Sequence, residues 1–251
     1  METIRITSRQ NPVIKRVASL SSSKGRGEHN AFFTEGIKLY GEAISEGFIP
    51  VEAFVSDSFS GDINGIQAKK VYSVPDEVYE KMTEQSAPEG LLCVFDKFAI
   101  EPNGNTCTLL LENMQDPGNL GTVLRSAAAF GCREVVGVSS CDPFSPKTVR
   151  ASMGAIFKVP YRAFNTLYDA LEYVGDSNLL ATALTSEAVP LDSVSLDGAC
   201  IMIGNEGHGL SDEALNRSNK QVIIPIEQVE SLNASVAASI ILYEASRRRR
   251  A

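Results

Sequence analysis

The 251-residue chain is poor in the residues that mark several common enzyme classes. It has two histidines, His29 and His208, too few for a histidine-built metal centre or a Ser-His-Asp triad, so no metal is expected. Its five cysteines, Cys93, Cys107, Cys132, Cys141 and Cys200, include no CxxC pair, which removes a zinc or redox signature and fits a reducing, cytoplasmic setting. There is no GxxxxGK[ST] phosphate loop, no GxSxG nucleophile elbow and no GxGxxG turn after the apolar run Thr108–Leu111. No apolar run approaches the ~20 residues of a transmembrane helix, and METIRITSRQ lacks the apolar core of a secretory signal. No membrane partner is expected.

What is present is an ordinary core composition with an uneven charge. Hydrophobic residues make up 43% and charged residues 22%, enough to bury one large or two small cores. The formal net charge of −8 argues against a protein that coats nucleic acid indiscriminately. Yet residues 1–30 carry six basic against two acidic side chains, a net of +4, while residues 31–100 carry a net of −7. Arg247–Arg250 makes the far end basic as well.

The apolar pattern alternates between strand and helix periods. Asn11 and Pro12 read as the cap and first turn of a helix whose Val13, Val17 and Leu20 share a face. Residues 24–30, KGRGEHN, read as a polar loop. Short strands are expected at Ala31–Glu35, Val51–Val55, Val71–Val74 and Leu91–Phe95, with a helix at Lys38–Glu46. After the turn-rich break at residues 101–106 the pattern restarts, predicting domains at 1–100 and 105–251. Strands are expected at Thr108–Leu111, Glu134–Val138, Leu179–Thr182, Cys200–Ile203 and Val222–Ile224. Helices are expected at Leu120–Phe130, Thr166–Val174 and Ala234–Arg248, the last with Val236, Ala237, Ile240 and Ile241 as its buried stripe. Such alternation predicts an α/β fold with a mostly parallel sheet covered on both faces.

Ligands of parallel sheets bind at the carboxyl ends of strands, which directs attention to three loops. The first, Asn113 to Arg125, contains a Pro117-Gly118 turn with Asn119 as candidate helix cap. Gly121 sits early in the following helix, where glycine costs about 1 kcal/mol, so a close neighbour is expected there. The second, Gly204 to Ser211, holds three glycines in six residues, with Glu206 between polar and glycine neighbours. The third, Ile224 to Asn233, ends in Ser231 and Asn233; capping the next helix explains one of these polar residues and leaves the other over.

DPGNLGTVLRSAAAFG, IMIGNEGHGLS and IPIEQVESLNASVAAS resemble, in order and spacing, the three signature motifs of the SpoU–TrmH family of RNA 2′-O-ribose methyltransferases, in the SPOUT class. The stretch from ITSRQNPVIKR to FFTEGIKLYGEAI resembles that family's small α/β substrate-binding domain, itself similar to certain ribosomal proteins. The resemblance implies a catalytic SPOUT domain with a trefoil knot and a parallel sheet, a homodimer, and S-adenosylmethionine as methyl donor. It implies cofactor contacts at Gly204, Ile224 and Leu232, held largely through backbone atoms. It implies catalytic or orienting roles for Asn119, Arg125, Glu206, Ser231 and Asn233. A structured RNA, ribosomal rather than transfer RNA, is the expected substrate, with Lys15, Arg16, Lys24 and Arg26 as expected phosphate contacts. A non-catalytic RNA- or ribosome-binding protein that keeps the fold and an enzyme with transfer RNA as its substrate are the competing possibilities. Arg247–Arg250 lies outside the motifs and receives no role.

Overall fold

The computed structural model describes residues 3–104, 106–175, 177–205 and 207–250. In chain order the first half supplies β1 (Thr3–Arg5), α1 (Pro12–Ser19), α2 (Ser23–His29), β2 (Ala31–Glu35), α3 (Ile37–Ser45), β3 (Glu52–Ser56), β4 (Val71–Val74), α4 (Asp76–Tyr79) and β5 (Leu91–Asp96). The second half supplies β6 (Thr108–Glu112), α5 (Pro117–Phe130), β7 (Glu134–Val138), α6 (Pro146–Ser152), β8 (Tyr161–Phe164), α7 (Leu167–Val174) and β9 (Asn178–Thr182). It continues with β10 (Val189–Pro190), β11 (Ala199–Ile203), α8 (Asp212–Arg217), β12 (Lys220–Ile223) and α9 (Ala234–Arg250). Two compact units result: Met1–Phe98 with Phe144–Phe157, and Ala99–Pro143 with Lys158–Ala251. The segment carrying α6 therefore packs with the first unit although it lies within the second half of the sequence.

In the first unit the strands run β1-β4-β3-β5-β2, with β5 antiparallel to both β3 and β2. This sheet is mixed, where alternation alone predicted a mostly parallel one. Side chains of successive strand residues face opposite ways. Phe33 thus joins Ile14, Val17, Leu20, Phe54 and Val78 in one core layer. Its neighbour Phe32 meets Phe95, Phe144 and Phe157, with ring centroids 4.7–6.2 Å away.

The polar stretch after α1 is a helix, not a loop. Ser22 caps α2 by accepting from the Gly25 amide, and Asn30 ends it in the left-handed conformation at φ 46°. Gly25 is there for a packing reason: a Cβ would lie 2.0 Å from the Ser19 carbonyl oxygen. Arg26 is 3% exposed and donates to the carbonyls of Leu20 (2.9 Å) and Ser21 (2.8 Å), closing the end of α1.

In the second unit seven strands run β10-β12-β9-β11-β6-β7-β8, and every pairing is parallel. The residues of β6, β7 and β11 are all buried, as strands covered on both faces require. Leu110, Val136, Ala181 and Met202 pack against Leu167, Ala170 and Leu171 of α7 and Ala214 of α8. The cap of α5 is Asp116, which accepts from the Asn119 amide at 2.8 Å, so Asn119 is freed for another task. In α9 the buried residues are Ala234, Ser235, Ala238, Ile241, Leu242, Ala245 and Ser246. Val236 (44%) and Ile240 (36%) face outward, contrary to the stripe expected from hydropathy. Small residues face inward there because α9 packs closely on α5, where the Ser126 and Ser239 hydroxyls meet at 2.7 Å.

Candidate cofactor cavity and motif loops

An all-parallel sheet places the carboxyl ends of its strands on one edge, so the loops after β6, β9, β11 and β12 gather there. The loop after β11 is folded by its own backbone. Asn205 and Gly209 exchange amide-to-carbonyl hydrogen bonds of 3.1 and 2.9 Å, and the Gly207 amide donates to Asn205 Oδ1 at 2.8 Å. Gly204 permits this closure, because a Cβ would lie 2.1 Å from the Gly209 carbonyl carbon; Gly209 itself takes φ +69°.

Both ends of that loop are tied to the end of β6. Asn205 Nδ2 donates to the Asn113 carbonyl at 3.0 Å. The buried Glu112 carboxylate accepts from the Ser211 amide (2.8 Å) through one oxygen and the Ser211 hydroxyl (2.7 Å) through the other. Burying a carboxylate is tolerable when its oxygens are hydrogen-bonded in this way. Neither Glu112 nor Asn205 is legible as a tether in the sequence, since each partner lies more than ninety residues away.

Asn233 resolves the excess of polar residues in the third loop. Its Oδ1 caps α9, accepting from the Ser235 amide at 2.9 Å and the Val236 amide at 3.3 Å. Its Nδ2 donates to Asn119 Oδ1 at 3.1 Å, and the Ser235 hydroxyl donates to the same oxygen at 3.2 Å. Ser231 is exposed at the mouth of a cavity. The expected site residues Asn119 and Asn233 are thus in direct contact. Arg125 is exposed on α5 and has no hydrogen bond or ion pair to a described residue. Glu206 lies outside the described residues.

The cavity has a volume of about 480 Å³ and is lined by Gly204, Ile224, Leu232 and Ser231 together. All three expected cofactor positions therefore share one wall system. Ile203, Ile223 and Ile241 supply apolar surface, while Thr182, Thr185, Asn205 and Glu230 supply polar groups. The volume and the mixture suit a ligand of nucleoside size. Such a lining suits the flat faces of an adenine ring along its apolar part, and ring edges, ribose hydroxyls and a charged methionine end along its polar part, the groups S-adenosylmethionine carries. The wall formed by Leu184 after β9 and Leu191 after β10 was not read from the sequence, because TALTSEAVPL resembles none of the three motifs. Burial pushes the Cys107 thiol up to about 11 and the Cys200 thiol up to about 12, away from the reactive thiolate form.

Of the four expected RNA contacts, Lys15 and Lys24 are exposed. Arg16 is paired with Glu52, and Arg26 is committed to the end of α1. The assignment of Arg26 to phosphate is therefore corrected: its guanidinium is buried and satisfies main-chain carbonyls.

A parallel α/β unit with a cavity lined by the loops at its strand ends, together with a small mixed-sheet unit, defines a two-part α/β protein. The chain belongs to the SpoU rRNA methylase family, whose model matches residues 106–243, and an MRM3-like substrate-binding domain model matches residues 11–93. It is 35% identical to an uncharacterized tRNA/rRNA methyltransferase, slr1673, of Synechocystis sp., over 96% of this chain and 93% of that protein. It is 31% identical to the 23S rRNA (guanosine(2553)-2′-O)-methyltransferase RlmP of Bacillus subtilis, over 95% of this chain and 98% of that protein. Its fold matches the crystal structure of an AdoMet-bound rRNA methyltransferase from Sinorhizobium meliloti with a TM-score of 0.83, at 28% identity and covering 98% of each chain.

Proposed function

We propose that the protein is an S-adenosylmethionine-dependent RNA methyltransferase that modifies a ribose 2′-hydroxyl in ribosomal RNA. One observation carries this: Gly204, Ile224 and Leu232 wall a single cavity, and Asn233, bonded to Asn119, directly follows its rim. Held beside Gly204, Ile224 and Leu232, S-adenosylmethionine would supply an activated methyl group for the ribose oxygen, and the hydroxyl proton would pass to solvent water. What the chain must add is orientation of the hydroxyl and stabilisation of the oxygen as its proton departs. Arg125 is solvent-facing, and its planar guanidinium offers hydrogen-bond donors and no acceptor. Its role is to hold an RNA phosphate and the developing alkoxide rather than to act as base. Asn119, Asn233, Ser231 and Glu206 orient the ribose and the arginine.

Other parts of the reading stand on separate observations. The outward Val236, Ile240 and Tyr243 follow each other at helical spacing on α9, and burying them between two copies makes a homodimer. The likeness of the three motifs to those of the SpoU–TrmH family supports a trefoil knot in the second unit. The first unit, with exposed Lys15 and Lys24, binds structured RNA. The cytoplasmic setting agrees with five free cysteines, four of them buried. Titration calorimetry with S-adenosylmethionine tests the cofactor part: saturable binding supports it, and no heat beyond dilution contradicts it.

A further inference from the structure

The run Arg247–Arg250 has no place in the proposed chemistry, yet its four members are not alike. Among the described residues Arg247 pairs only with Glu244 on its own helix, at 2.9 and 2.8 Å, and its side chain is 55% exposed. Arg249 and Arg250 are exposed. Arg248 points inward: Nε donates to Glu244 Oε1 at 2.6 Å, Nη1 to the Val194 carbonyl at 2.7 Å and Nη2 to the Leu191 carbonyl at 3.1 Å. All three guanidinium nitrogens are used.

The two carbonyls belong to a weakly supported piece of chain. β10 has two residues, sits at the end of the seven-stranded sheet and pairs only with β12. The chain then makes a single 3-10 turn at Leu191–Ser193. Leu191 is 5% exposed and lines the cavity, as does Ile241 on α9. From Ile241, Glu244 and Arg248 follow at positions three and seven along the same helical face. The helix that walls one side of the cavity thus also grips the turn that walls another.

We infer that Arg248 is a positioning residue for the cofactor cavity, fixing Leu191 in its wall through the Leu191 and Val194 carbonyls. The inference rests on the proposed function for the identity of the ligand. A two-residue edge strand cannot hold a turn in place alone, and three directed donors in a planar fork supply the missing constraint. Lysine has one nitrogen at a different reach and cannot reproduce it.

The test is calorimetry of S-adenosylmethionine with full-length wild-type, R248A, R248K and R247A proteins, joined to amide hydrogen exchange of the segment around Leu191–Val194. Both Arg248 variants are expected to raise Kd about tenfold, the scale of losing two hydrogen bonds to a fixed wall. R247A is expected to stay within about twofold, as an exposed pair contributes little. Exchange in the segment should accelerate in R248A and R248K alone. In turnover, KM for the cofactor should rise while kcat at saturation holds, which general loss of fold does not produce. Wild-type affinity and exchange in R248A would overturn the inference. A wild-type protein that binds no S-adenosylmethionine overturns the functional reading instead, and the exchange rates then still decide whether Arg248 holds the turn.

Discussion

Asn119 and Asn233 are 114 positions apart in sequence and hydrogen-bonded in the fold, so two loops read separately form one polar cluster. Exposed Arg125 is free of protein partners among the described residues, as a group reserved for substrate should be. Accordingly, R125A should lose methyl transfer by several orders of magnitude while its calorimetric cofactor Kd and melting temperature stay as in wild type; normal turnover by R125A would remove its assigned role. Gly204 stands out in the sequence only as one of three glycines in a loop, and the structure supplies a reason for this one, since its missing Cβ is where the Gly209 backbone passes. G204A must displace that backbone, so it should abolish measurable cofactor binding. N233A removes the cap of α9, which costs about 1 kcal/mol and should appear as a melting temperature lower by roughly 2–4 °C. The residues that could not be read were the tethers: Glu112 and Arg248 look like ordinary charged residues until their distant partners are known.

At the scale of elements, most strands and the longer helices follow from hydropathy, whereas β1, β8, β10, α6 and α8 do not, and several failures have physical causes. The helix α2 was hidden by Gly25 and Gly27, residues of low helix propensity, because the close approach of Gly25 to Ser19 overrides propensity. In α9 apolar character misled about direction, since close packing on α5 selects alanine and serine inward and leaves Val236, Ile240 and Tyr243 outward. The α1–α2 corner separates two kinds of basic residue. R26A should lower stability by about 1–3 kcal/mol, because it strips donors from buried carbonyls. K15A and K24A should weaken RNA binding in a filter assay with an unchanged melting curve. The end of α9 should be sensitive to acid. Glu244 beside Arg247 and Arg248 is pulled down to about 2 from an ordinary 4.5. Its folded-state value is the lower one, so its stabilisation is complete above about pH 4.5 and fades as pH falls through about 2. The difference in melting temperature between wild type and E244Q should therefore shrink over that window.

For the whole molecule, a net charge of −8 and an RNA substrate are compatible because the charge is distributed. The +4 of residues 1–30 overstates what RNA meets, since Arg16 is paired and Arg26 is buried. Few phosphates are then neutralised, and log affinity should fall against log salt with a shallow slope, at about 0.7–0.9 per phosphate. A slope equivalent to ten or more phosphates would contradict this distribution of charge. The central claim is methyl transfer to a ribose hydroxyl of ribosomal RNA. It is tested most directly by incubating the purified protein with S-adenosylmethionine labelled in its methyl group and ribosomal RNA from cells lacking the gene, then identifying the labelled nucleoside by mass spectrometry. The account predicts label in a single 2′-O-methylated nucleoside, absent with R125A; label on a base, or none, would contradict it.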